Sequence, residues 1–104
     1  MRKAEISMHG VPAGILEEIE RGRVYSFSYH EGYKGPPISL TLPVEEKVFE
    51  FDRFPPFFDG LLPEGMMLES LLKKLKIDRH DCFGQLVSVG GDLVGSTTAT
   101  EIFE

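Results

Sequence analysis

The sequence predicts an α+β fold: a largely antiparallel sheet of about five to six strands, packed with two to three short helices in the C-terminal half. Three observations predict it. In the first half of the chain apolar residues alternate with period two, as half-buried strands require. After Glu64 the period becomes helical, with Leu68, Leu71, Leu72 and Leu75 spaced to share one stripe. A Thr-rich run toward Phe103 then restores the β-branched character of a pleated surface.

The elements follow in order. Over residues 2–8, Ala4, Ile6 and Met8 share one side and Lys3, Glu5 and Ser7 the other. His9-Gly10 is a turn signal, so Val11 to Leu16 returns as the second arm of a hairpin. Residues 17–22 are charged and end in Gly22, which reads as a connection. Residues 23–30 give the clearest strand, with Tyr25, Phe27 and Tyr29 opposed to Val24, Ser26 and Ser28. A loop through Gly35-Pro36-Pro37 leads to a further strand carrying Ile38, Leu40 and Leu42, stopped by Pro43. Val48, Phe49 and Phe51 add a short strand.

Residues 54–68 are the most unusual stretch. Large apolar side chains crowd it, and prolines and glycines keep it from being one strand or one helix. It reads as a helical turn begun by Pro55-Pro56 and carrying Phe57, Phe58, Leu61 and Leu62, then a second helix opened at Pro63-Glu64. On that second helix Met66 points about 160° away from Leu68, so it faces outward. Leu71 belongs to the inner stripe, and its truncation to Ala is expected to cost roughly 2–5 kcal/mol, as in a core. Asp78 or Asp81 caps a third helix whose inner face is Phe83, Leu86 and Val87 and which Gly90-Gly91 ends. Leu93-Val94-Gly95 and the run to Phe103 close the sheet.

Length and composition bound the function. The 104 residues make a single domain, 1–104, with a real core. No apolar run approaches a membrane span, and Arg2 and Lys3 precede an alternating pattern instead of a signal peptide. The single Cys82 excludes an internal disulfide and fits a reducing, cytoplasmic location. A formal net charge of −6 argues against direct contact with nucleic acid. Lys73, Lys74, Lys76 and Arg79 form a basic cluster, read first as a solvated helix face near a C-terminus, with contact to an acidic partner surface as the alternative.

Catalytic chemistry has little support. His9, His30 and His80 are dispersed, with no metal-ligand spacing to Cys82, and no cofactor is expected. His80-Asp81-Cys82 holds the residue types of a thiol site, yet a Cys beside Phe83 at a helix start is more often a small buried hydrophobe. The Gly90-Gly91 to Gly95-Ser96 run lacks the ending of a P-loop. Glu17-Glu18 and Glu45-Glu46 read as solvated pairs. The chain is expected not to be an enzyme.

Two motifs carry a family resemblance. Phe57-Phe58-Asp59-Gly60-Leu61-Leu62-Pro63-Glu64 resembles a segment of the N-terminal subdomain of HipA-type serine/threonine kinases. Phe83-Gly84-Gln85-Leu86 through Asp92-Leu93-Val94-Gly95-Ser96 resembles the tail of that subdomain, with Ser96 where alanine is usual. The opening hairpin with Gly10, Val11 and Gly14-Ile15-Leu16 fits its start. In the family the kinase proper follows this subdomain, so no catalytic residue carries over. A free-standing copy is similar to the HipS-type antitoxins of HipBST-type toxin–antitoxin systems. The resemblance implies binding and inhibition of a separately encoded HipT-like kinase, with a HipB-like helix-turn-helix protein as a further partner in a ternary complex. Two alternatives stay open: a non-catalytic lobe that a split kinase needs for activity, and a co-regulator of operator binding through a DNA-binding partner.

Physically, a separately made domain that docks on a kinase needs an apolar patch, anchored by Phe, Met or Arg where Trp is lacking. The candidate partner-binding residues are Arg53, Phe54, Phe57, Pro63, Glu64, Gly65, Met66 and Met67, with Met66 foremost. The bland reading is that Phe57, Phe58, Leu61 and Leu62 plug the domain's own sheet.

Overall fold

The hairpin of β1 (Arg2–Met8) and β2 (Val11–Glu20) lies at the middle of the sheet, its turn made by His9 and Gly10, which both take positive φ. Such a turn matches the right-handed twist of the flanking strands. The computed structural model describes residues 2–91 and 97–103. β3 (Val24–Tyr29) and β4 (Val48–Phe51) extend the sheet on one side and β5 (Thr97–Ile102) on the other. The result is five strands in the order β4-β3-β2-β1-β5, every pairing antiparallel. Among the described residues three short helices lie between β4 and β5 in sequence: α1 (Pro56–Asp59), α2 (Gly65–Leu75) and α3 (Cys82–Ser88). The α+β class, strand number and helix placement are those expected of the sequence. No helix among the described residues is long and apolar enough to cross a membrane.

Register explains the burial. Ala4, Leu16, Phe27 and Phe49 stand opposite one another on one face, and the helices cover that face. Phe58 from α1 and Phe83 and Leu86 from α3 are fully buried there, with the Phe58 ring 5.9 Å from that of Phe27. The next inner row is ionic. Arg2, Glu18 and Tyr25 are aligned across three strands. Arg2 Nε donates to Glu18 Oε1 at 2.7 Å, and its terminal nitrogens clasp both oxygens of Asp81 at 2.7 and 3.1 Å. The guanidinium also lies 5.0 Å from the centre of the Phe83 ring. Glu18 takes further bonds from the Gly22 N–H and the Tyr25 hydroxyl. Asp81 caps α3 by accepting from the Gly84 N–H at 3.0 Å. One cation thus ties β1, β2 and the start of α3 together, and Glu18 extends the network to Tyr25 of β3.

These contacts set the titration of the group. Burial works against the ionised form of Glu18, but bonds from Arg2, Gly22 and Tyr25 outweigh it and hold the carboxyl below its ordinary range. The Arg2 bonds likewise hold Asp81 low, against a weaker opposing effect of burial. The Tyr25 phenol is pushed up to about 12 by burial and by the Glu18 charge.

Four expectations need correction. Residues 38–42 are not a strand: Ile38 and Leu42 are buried, but Leu40 is 96% exposed. The reason is the Tyr29 hydroxyl, which donates to the Leu42 carbonyl and accepts from the Ile38 N–H, while Leu42 N–H turns back to Ser39. Those bonds satisfy locally what a neighbouring strand would otherwise satisfy. Residues 17–20 are not a connection but the end of β2, and Glu18 is buried, not solvated, because Arg2 pairs with it. Finally, the leucine stripe of α2 is not core: the helix holds no buried residue, and Leu75 is 48% exposed. Amphipathic spacing shows which face turns inward, not how deeply it sinks.

The capping of α3 by Asp81 and its inner face of Phe83 and Leu86 follow the sequence reading, with Val87 half-buried. Gly90 serves less as a cap than as a near-contact: its carbonyl accepts from the Ala99 N–H at 3.0 Å, and a Cβ there would collide with the Ala99 carbonyl oxygen. The motif residues 92–96, including the expected start of the closing strand at Leu93, lie outside the described residues.

Candidate functional site

The chain between β4 and α2 builds the surface of interest. Pro55 is fully buried and Pro56 starts α1, so φ is preset where the backbone turns away from the sheet edge. α1 lasts one turn, enough to drop Phe58 into the core with Phe57 packed edge-on against it at 5.2 Å. Leu61 and Leu62 are half-buried against the same core. Gly65 then takes φ 59°, a left-handed conformation that side chains resist, and redirects the chain into α2. Glu64 precedes it in extended backbone and makes no side-chain cap.

The eight expected residues fall into two groups. Phe54 and Phe57 are half-buried and packed inward, Phe54 against Tyr25 at 5.4 Å. Pro63 is also half-buried, while Arg53, Glu64, Gly65, Met66 and Met67 are exposed. Met66 is 89% and Met67 74% exposed, the largest apolar exposure on any helix of the described residues. Folding therefore buries the aromatic part of the stretch and presents the thioether part.

Two depressions flank β4. A wide one of about 610 Å³ is lined by Val24, Glu50, Phe51, Asp52, Arg53 and Pro56. A narrower one of about 320 Å³ runs past Phe49, Phe51, Pro55, Pro56 and Phe57 to Thr41 and Leu42. They share Glu50, Phe51 and Pro56 as walls; Arg53 borders the wider and Phe57 the narrower, and the two together make up the trough beside the sheet edge. Met66 and Met67 line neither part of it; they stand on the outward face of α2. The narrower depression has no local signal in the sequence, since Thr41 and Leu42 in its wall are placed by the fold-back of residues 38–42 on Tyr29.

The lone thiol fits no nucleophilic role. Burial, with the Asp59 and Asp81 charges, pushes Cys82 above its ordinary value, the reverse of an activated thiolate. Among the described residues no cluster of His, Cys, Asp or Glu is arranged to hold a metal. What the surface offers is contact area: exposed thioethers, exposed lysines at the end of α2, and the trough at β4.

Residues 4–100 match the family model described as "HipA N-terminal domain". An uncharacterised protein of Haemophilus influenzae is 33% identical over 101 residues, covering 97% of this chain and 93% of that protein. A protein of Sinorhizobium fredii named as a candidate kinase, Y4dM, is 31% identical over 104 residues, covering 90% of this chain. The chain spans only 25% of that protein's length. Among solved structures, the N-terminal domain of HipA toxin superposes with a TM-score of 0.78 at 30% identity, covering 100% of this chain and 95% of that one.

Proposed function

We propose, from the premise that this chain belongs to the HipA N-terminal domain family, that it is a non-catalytic binding protein which docks on a separately encoded HipA-type serine/threonine kinase and restrains it, as an antitoxin does. The single observation that carries the reading is the pair of thioethers, Met66 and Met67, held 89% and 74% exposed on a helix with no buried residue. Contiguous exposed apolar surface, unlike single scattered side chains, marks faces that meet a partner. Methionine suits such a role because its flexible side chain fills irregular recesses at little strain. The family supplies the kind of partner, since a longer relative named as a candidate kinase carries this domain within its own chain.

On this reading Arg53, Phe57, Pro63, Glu64, Gly65, Met66 and Met67 form the contact, with Phe54 holding the segment in place from beneath. The buried anchors Pro55 and Phe58 fix α1, and the left-handed Gly65 sets the direction in which α2 presents its methionines. Preorganisation of that kind reduces the ordering penalty of association.

The test is a phosphotransfer assay. The kinase region of a HipA-type protein, lacking its own N-terminal domain, is titrated with this chain while its autophosphorylation is followed. Dose-dependent loss of activity is expected. A rise in activity would replace restraint with the role of a missing activating lobe, and an unaltered kinase that forms no complex would end the proposal.

A further inference from the structure

The outward face of α2 carries two chemistries in one line. Lys73 follows Met66 by seven residues and Lys74 follows Met67 by seven, so each lysine repeats the azimuth of a methionine two turns on. All four side chains are exposed, and only Ser70 stands between the pairs on that face. The ridge therefore begins with two thioethers and ends, about 10 Å along the axis, with two ammonium groups.

The ammonium groups are not spent within the molecule. Glu69 is placed one turn before Lys73, where helical spacing would pair them, but Arg79 takes both its oxygens at 2.5 and 2.8 Å. Among the described residues neither Lys73 nor Lys74 has an ion-pair partner. This occurs in a chain whose formal charge is −6, where carboxylates outnumber cations. The helix dipole favours cations in a last turn, which accounts for the lysines alone but not for their alignment with exposed methionines.

Resting on the binding role argued above, we propose that α2 is a bipartite docking ridge. Met66 and Met67 enter an apolar recess of the partner kinase, and Lys73 and Lys74 meet a carboxylate cluster on the same partner about 10 Å away. The thioether end supplies desolvated contact and so governs dissociation. The lysine end, at the solvated rim, steers the encounter and governs association. In a chain with excess negative charge this local reversal of sign orients the approach before contact is made.

The experiment measures association and dissociation rates with the kinase region across a series of sodium chloride concentrations. Three proteins are compared: wild type, K73E/K74E, and R23E/K34E, which changes net charge equally at exposed positions outside α2. Circular dichroism is expected to show all three folded alike. K73E/K74E is expected to slow association by about tenfold at low salt, with the difference fading as the Debye length falls below about 10 Å, and to leave dissociation nearly unchanged. R23E/K34E is expected to stay within about twofold of wild type. Equal slowing in both variants would reduce the effect to net charge, and wild-type rates in K73E/K74E would remove the lysines from the interface. Either result overturns the ridge while the binding role stands; absence of any wild-type complex would remove both.

Discussion

Replacing Arg2 by Ala tests what holds the four elements together. The guanidinium makes one bond to Glu18 and two to Asp81 and lies over Phe83. The Glu18 side chain is only 4% exposed, so without Arg2 its charge would be left with the Gly22 N–H and the Tyr25 hydroxyl alone. Removing one partner of a buried pair costs about 3–5 kcal/mol. Because the Arg2 side chain is itself 24% exposed and Asp81 16%, the lower end applies, about 3 kcal/mol. For a domain of this size that is a fall in Tm of roughly 12–24 °C. Thermal and denaturant unfolding at neutral pH would measure it. The pH dependence gives a second readout. Glu18 and Asp81 are held below their ordinary values in the folded chain, so their contribution is complete above about pH 4 and is lost as pH falls through the folded values. Arg2→Ala should therefore flatten the acid limb of the stability profile. A loss below about 1 kcal/mol, the scale of a surface pair, with an unchanged acid limb would refute the network's structural role.

Other outcomes follow from burial and backbone. Phe58→Ala should cost about 3–5 kcal/mol, whereas Leu71→Ala on the half-buried stripe of α2 should cost about 1 kcal/mol; equal losses in denaturant unfolding would contradict the shallow seating of α2. Gly90→Ala should destabilise strongly, since its Cβ has no place beside the Ala99 carbonyl, and a variant melting within a few degrees of wild type would show that β5 moves aside. At the alkaline end, Tyr25 is pushed up to about 12, and burial raises Tyr29 and Tyr33 as well. Their contribution is full below about pH 10 and declines as pH rises toward the folded values. Tyr25→Phe should flatten that decline, and an unaltered alkaline limb would sink the assignment.

Much of this fold was legible because its signals are local. The His9-Gly10 turn, the alternation of Tyr25, Phe27 and Tyr29, and the Asp81 cap each declare themselves within a few residues. What was not legible depends on distant partners. Glu18 looks solvated until Arg2 is placed opposite it across the hairpin, and residues 38–42 look like a strand until the Tyr29 hydroxyl claims their backbone. The leucines of α2 show the same limit, since periodicity gives direction without depth. For the candidate site, the wheel foresaw the outward Met66. It did not separate the methionine ridge from the trough at β4, because that division arises where Gly65 redirects the chain.

The most direct measurement is the dissociation constant of Met66→Asp with the kinase region of a HipA-type protein, taken by calorimetry beside the wild type. At 89% exposure the substitution should leave the free domain folded with its Tm unchanged. A carboxylate forced into a desolvated recess should weaken binding at least about tenfold. Wild-type affinity in a folded Met66→Asp variant would contradict the account.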